Sequence, residues 1–270
     1  MNTVVCRTLE EGILEVRMNR PERLNALNPA LVGDLLAVFH GLQQDRKTRV
    51  VILTGEGKGF CAGADLQEQI SPGAVPGTEG MTQLGFVYKF QEYLSQLMLA
   101  IHECDKPVIA AINGAAVGGG LAIALASDIR IASHDAKFGA VFIKIGLSAC
   151  DVGTSYFLPR LVGAGVAAEL MLTGRIFKAE EAREIRLVSQ LVSPENLDNA
   201  ALAMARALAE NSEYGVWMTK EVLWANVDAP SLRHAMELEN RTQVLGVFTD
   251  CTKESVAAFG EGRKPNWKPL

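Results

Sequence analysis

The sequence predicts an α/β fold with a helical section appended at its C-terminal end, and three patterns carry that prediction. Residues 50–54, 108–112 and 129–132 are short apolar runs without polar alternation, as in strands buried on both faces of a parallel sheet. Helical spacing of apolar residues, at intervals of three and four, recurs between these runs. Beyond Pro194 the helical spacing continues with no strand-like run.

Taken in chain order, residues 3–9 and 12–18 are rich in Val, Ile and Leu and split by Glu10-Glu11-Gly12, which reads as an antiparallel hairpin. Asn28 before Pro29 is the N-cap and first-turn pairing that starts a helix. Leu31, Leu35, Val38, Phe39 and Leu42 give that helix its apolar face, and it ends near Asp45. The strand at 50–54 runs into Gly55, Gly57, Gly59 and Gly63, a glycine-rich loop. Residues 71–80 hold three glycines and two prolines without periodicity and are expected to form the most mobile loop. Val87, Phe90, Leu94, Leu97 and Ile101 mark a long helix that ends before Pro107. A strand at 108–112, a loop at 113–117, a buried helix at 118–126 and a strand at 129–132 follow. Leu197, Ala201, Met204 and Leu208 open the helical section, which continues through 216–224, 232–245 and 252–259. Residues 51–66 and 108–125 echo each other as buried strand, Gly/Ala loop and helix start.

Composition narrows the function classes. The 270 residues are 49% hydrophobic, enough for a substantial core. Lys and Arg number 26 against 31 Asp and Glu, and a net charge of -5 offers no overall positive field to a nucleic acid. No residue from 107 to 127 is charged, which meets the length of a membrane span. Asn113-Gly114 is a turn signal, however, and Gly118-Gly119-Gly120 disfavours a continuous helix, so strand plus buried helix is expected and a membrane is not. Cys6, Cys61, Cys104, Cys150 and Cys251 form no CxxC pair, and His40, His102, His134 and His234 form no ligand spacing. No metal is expected, and the cysteines read as free thiols in a reducing compartment. Residues 1–7 lack the basic-then-apolar pattern of a secretion signal, so the expected location is the cytoplasm. Met171, Met204 and Met218 are assigned to the core.

In both echoed units the strand gives way to residues almost without side chains, Cys61-Ala62-Gly63-Ala64 and Ala115-Ala116-Val117-Gly118-Gly119-Gly120. A ligand can then approach the backbone itself. If the two strands are neighbours, one N–H from each loop could meet on a single oxygen, the second at a helix N-terminus, which is the specification of an oxyanion hole. The same glycines also serve tight helix–strand packing. Residues 55–60, GEGKGF, lack the spacing of a phosphate loop, and GAAVGGG does not match GxGxxG, so nucleotide chemistry loses support.

GKGFCAGADL at 57–66, KPVIAAINGAAVGGG at 106–120 and SDIRIAS at 127–133 together resemble the crotonase superfamily, the enoyl-CoA hydratase/isomerase family. The likeness runs from Arg20-Pro21 to FGEGRKPNW at 259–267. It implies a crotonase-like spiral of ββα units over residues 1–195 and a helical trimerisation region over 196–270. It also implies a homotrimer or dimer of trimers, acyl-CoA thioester substrates, and no cofactor beyond the coenzyme A of the substrate. The family's two oxyanion-hole donors match Ala64 and Gly119. By the same resemblance Ala62, Asp65 and Leu66 line the pocket for the CoA adenine, mainly through backbone atoms. Arg23 and Phe259 match family positions near the CoA, Phe259 by reaching a neighbouring subunit. On charge alone, Arg20, Arg23 and Lys58 are either a counter-charge for CoA phosphates or a solvated patch.

The departure from the family is informative. Its hydratases carry two glutamates at positions that here are Ala122 and Phe142, neither of which transfers a proton. One carboxylate remains, Asp151 in GLSACDVGTSYFLPRLVG at 146–163. DVGT followed by LPRLVG resembles dienoyl-CoA isomerases, whose matching aspartate is an acid/base; the preceding segment is one residue longer here, and their partner glutamate falls at or next to Phe142. A single carboxylate suffices for a double-bond shift, taking a proton from one carbon and returning it to another. Residues 148–151 also fit a capping box, which would make Asp151 a helix-end residue. Lys144, Ser148, Cys150, Ser155 and Tyr156 are nearby polar alternatives, and Cys150 is expected to be a buried, inert thiol. Three functions follow: isomerisation or hydration of an enoyl-CoA in fatty-acid or related acid metabolism, thioester hydrolysis or dehalogenation through Asp151, or acyl-CoA binding without turnover.

Overall fold

The computed structural model describes residues 3–268. Met1 and Asn2, which open the stretch read for a secretion signal, lie outside the described residues. The chain begins with β1 (Val4–Glu10) and β2 (Ile13–Met18), the expected antiparallel hairpin, with Val4 opposite Met18. From there β3 (Val50–Gly55), β5 (Val108–Ile112), β7 (Ile129–Ser133) and β10 (Gln190–Val192) extend one sheet in the order β1-β2-β3-β5-β7-β10. All pairings after the hairpin are parallel. A second sheet has the order β4-β6-β8-β9, from β4 (Gly59–Cys61), β6 (Ala115–Val117), β8 (Lys137–Gly139) and β9 (Phe177–Lys178). The chain therefore winds as a spiral: β3, β5 and β7 lie side by side in one sheet, and the strand after each lies side by side in the other.

This winding corrects one expectation. Residues 115–117 are not loop but strand, paired with β4 on one side and β8 on the other. Three small residues give no periodicity to read, and their pairing exists only once the spiral has closed. The carbonyls of the turn before β4 are met by two side-chain amides. Asn25 Nδ2 donates to Glu56 O and Gly59 O at 3.0 and 2.8 Å, and Asn113 Nδ2 to Gly55 O and Gly57 O at 3.0 and 2.9 Å.

Alternate residues of the six-stranded sheet serve two cores, as a pleat requires. Val51, Leu53, Val108, Ala110 and Ile112 face α1 (Pro29–Leu42), α2 (Gln83–His102) and α3 (Gly119–Ala126). Val50, Ile52, Ile109 and Ala111 face α7 (Leu197–Ala209), which buries Leu197, Ala201 and Ala205. The caps follow the sequence: Asn28 Oδ1 accepts from Leu31 N at 2.9 Å, and Thr82 Oγ1 from Gly85 N at 3.2 Å. The buried face of α2 starts at Phe86, whereas Val87 is exposed. The irregular segment 71–80 is observed as such, with Val75 and Thr78 buried in it. The uncharged stretch 107–127 divides into β5, β6 and the short α3, and no described helix is long and apolar enough to cross a membrane.

Between β8 and α7 the chain forms α4 (Thr154–Val162), α5 (Ala164–Thr173) and α6 (Ala179–Glu184), preceded by a 3-10 turn at Val141–Ile145. Arg130, buried in β7, donates to Leu187 O at 2.8 Å and Ser127 O at 2.7 Å, and burial lowers its pKa to about 10. After α7 come α8 (Glu213–Val227), α9 (Leu232–Val247) and α10 (Asp250–Glu261). Lys220 ties α8 to the core through Asp128 at 2.8 Å and Lys106 O at 3.0 Å. Met218 lines an open groove among α8, α9 and α10 and is not in the core; α8 buries no residue in one chain.

The tightest point of the fold is Gly120, where any Cβ would overlap the Cys61 carbonyl and approach Cys61 Cβ at 2.9 Å. Because the obstacle is backbone, Gly120→Ala is expected to cost about 3 kcal/mol or more. That corresponds to a melting temperature lower by roughly 6–12 °C in a scanning calorimeter.

Candidate functional site

The two small-residue loops meet as the sequence argument required, because β4 and β6 are parallel neighbours with Cys61 opposite Ala116. A Cβ placed on Gly63 would stand 2.8 Å from Val117 O and 3.4 Å from Gly119 N. Gly118, with φ 54 and ψ -123, turns the chain from β6 into α3, a conformation open to glycine and strained for any L side chain. Gly119 is then the first residue of α3, where a backbone N–H has no partner within the helix.

The other loop is framed by residues 24–27. Ala62 N donates to Leu24 O at 3.0 Å, Leu27 N to Gly63 O at 2.7 Å, and Asp65 N to Leu27 O at 2.9 Å. Ala64 lies between these bonds, and among the described residues none accepts a hydrogen bond from its N–H or from that of Gly119. The two donors belong to adjacent loops on a rigid two-strand platform, one of them at a helix N-terminus whose dipole favours negative charge.

The Asp65 side chain is taken up by ion pairs, which leaves its backbone for the part its motif implies. Its side chain is only 4% exposed and accepts from Arg23 Nη2 at 2.8 Å and Arg20 Nη2 at 3.0 Å. Its Oδ1 also accepts from Gln67 N and Glu68 N at 3.1 and 3.2 Å. Arg23, with Arg20 beside it, holds the carboxyl down to about 2 despite its burial. Arg20 and Arg23 both pair with Asp65, and Arg20 also with Glu68 at 3.2 Å, so neither is a solvated charge without a partner. Leu66, 70% exposed, follows at the surface. Phe259, 91% exposed on α10, touches none of this within the one chain.

The positions of the missing glutamates are apolar in fact as well as in sequence. Ala122 is buried in the second turn of α3, and Phe142 is buried with its Cε1 near the place a Gly118 Cβ would occupy. Asp151 stands in the turn before α4, and the capping-box alternative does not hold. The N-cap of α4 is Gly153, and Ser148 Oγ accepts from Cys150 N, at 3.0 Å. Val152 and Gly153 are both left-handed, with φ 38 and 83, and the strain of a β-branched residue there marks a backbone fixed by its surroundings. Cys150 is exposed, contrary to expectation, because the loop carries it outward instead of into a helix turn. Sequence reasoning missed Gln91 on α2, whose Nε2 donates to Asp151 Oδ1; an isolated amide on a helix gives no motif. No described group of His, Cys, Asp and Glu could hold a metal ion.

The pairing of Asp65 fixes the sign of an acid effect. A carboxyl depressed to about 2, against 3.8 unperturbed, contributes stability above pH 4 that disappears as pH falls towards 2. Asp65→Asn is expected to lower the melting temperature at neutral pH, and to flatten its decline between pH 4 and 2 relative to the unaltered protein.

The Enoyl-CoA hydratase/isomerase family model matches residues 8–269. A probable enoyl-CoA hydratase of Mycobacterium bovis is 42% identical over 94% of this chain and 88% of its own length. The 1,2-epoxyphenylacetyl-CoA isomerase of Escherichia coli is 34% identical over 96% of each chain. The crystal structure of a probable enoyl-CoA hydratase/isomerase from Mycobacterium abscessus superposes with a TM-score of 0.91 at 38% identity, covering 98% of both chains. By sequence over nearly its whole length and by its fold, this chain belongs to the enoyl-CoA hydratase/isomerase family of enzymes.

Proposed function

We propose that this enzyme shifts a carbon–carbon double bond in an acyl-CoA thioester, using Asp151 as its one proton carrier. The observation that carries this reading is the replacement of both glutamate positions by buried Ala122 and Phe142, while the Asp151 carboxylate is engaged, among the described residues, only by a neutral amide. The thioester oxygen would sit between the N–H groups of Ala64 and Gly119. Their dipoles stabilise the negative charge that develops there when a proton leaves the carbon next to the carbonyl. Asp151 accepts that proton, the electron pair moves through the carbonyl carbon to oxygen, and the same carboxyl returns the proton two carbons further along. Nothing is oxidised and no water is consumed, so the chemistry draws on no cofactor beyond the coenzyme A of the substrate.

Ala62, Asp65 and Leu66 would receive the adenine end of that coenzyme A through backbone atoms, beside Arg23. A homotrimer or dimer of trimers is supported by α8 and α9, which bury no residue in one chain and expose Leu223, Val227, Met236, Leu245 and Phe248. Phe259 would then reach the site of a neighbouring copy. Five free thiols support a reducing compartment such as the cytoplasm.

The test incubates purified protein with a panel of enoyl- and dienoyl-CoA thioesters in deuterated water and measures product masses. An isomeric product, with or without deuterium exchanged in, and a loss of at least about 100-fold in kcat for Asp151→Asn are expected. Gain of a whole water would make the enzyme a hydratase, as its relatives from Mycobacterium bovis and Thauera aromatica are named, and would overturn the isomerase reading. Full activity in Asp151→Asn would overturn the assignment of Asp151.

A further inference from the structure

We propose that Gln91 is the positioning residue for Asp151, selecting which carboxylate oxygen exchanges the proton; the inference rests on the isomerase reading above. Backbone geometry already fixes the main chain around Asp151. Thr154 N donates to Asp151 O at 2.8 Å, Cys150 N to Ser148 Oγ at 3.0 Å, and Val152 and Gly153 are locked left-handed. What remains free is rotation of the carboxylate about its side-chain bonds. Gln91 Nε2 removes that freedom by donating to Oδ1, which leaves Oδ2 as the open, proton-accepting oxygen.

The chemical type of the partner matters. The charged groups on the packed elements are engaged elsewhere: Lys89 with Glu92 at 2.7 Å and Arg160 with Asp228 at 2.7 Å, while the Lys144 side chain lies along Gly174. Among the described residues Asp151 enters no ion pair. Asp65 shows what cations do to a carboxylate in this protein, since its two arginines hold it at about 2, far too acidic to take a proton from carbon at neutral pH. Gln91 is a neutral amide, which orients the Asp151 carboxylate without placing a charge beside it. Gln91 also sits one and two turns beyond Leu84, Val87 and Tyr88 on one face of α2, all three exposed, so it is the polar end of an otherwise apolar helix face.

The test measures steady-state kinetics of Gln91→Leu, Gln91→Glu and Asp151→Asn on the thioester that the panel identifies, with a thermal melt of each. Gln91 is exposed, so both of its variants are expected to fold with melting temperatures near that of the unaltered protein. Gln91→Leu should lower kcat by about 10- to 100-fold while KM changes less than about 3-fold, as loss of orientation does. Gln91→Glu sets a second carboxylate against Asp151, and the acidic limb of the kcat/KM profile should move up by about one pH unit. A role confined to holding α2 against the turn would lower the melting temperature and leave that limb in place. Unchanged kcat in Gln91→Leu together with an unmoved limb in Gln91→Glu would overturn the positioning role. If Asp151→Asn is inactive in the same series, the isomerase reading stands and only Gln91 falls; if Asp151→Asn is fully active, the reading itself falls.

Discussion

Everything at the site depends on two stretches of backbone approaching each other with no side chain between them. Gly120 lies on the Cys61 carbonyl, and Gly63 leaves room for only a hydrogen between itself and Val117 O. A methyl group at either place would separate β4 from the start of α3, and with it the two loops that carry Ala64 and Gly119. The spiral makes this approach possible. Each turn lays one strand in the large sheet and the next in the small one, so equivalent loops from successive turns arrive side by side. Backbone N–H groups serve best as fixed dipoles where the chain that bears them cannot reorganise, and here it is held by two sheets and two asparagine amides.

Two acidic residues, Asp65 and Asp151, stand in contrasting electrostatic surroundings. Asp65, buried between two guanidiniums and two backbone N–H groups, is charged at neutral pH and serves as a clasp from residues 20–23 to the loop that presents Ala64. Asp151 stands on a strained turn with a neutral amide for company. The two carboxylates thus differ in their neighbours, two guanidiniums for Asp65 and one amide for Asp151.

The C-terminal helices add a third constraint. The first of them, α7, belongs physically to the large sheet and closes its outer face. The next two bury no residue in one chain, yet α8 is anchored to the core by Lys220. Their exposed side chains include Leu223, Val227, Met236 and Leu245, an apolar surface that the single chain leaves uncovered.

Much of the fold was legible before any coordinate. All-apolar runs announced the parallel strands, Asn28 and Pro29 the first helix, and helical spacing the C-terminal section, because these signals reside in a few adjacent residues. The glycine loops were legible too, since the lack of side chains is itself the message. The strand at Ala115–Val117 was not, nor were the helices between β8 and α7, whose pairing and packing come from distant segments. Motifs and composition carried the family pattern, the two small-residue loops and the loss of both glutamates. The pairing of Arg20 and Arg23 with Asp65, the exposure of Cys150 and the meeting of Gln91 with Asp151, residues 60 apart in the chain, arise only on folding. Partners so distant leave no periodicity and no motif; the choice among them is made by packing, which brings α2 against the turn before α4.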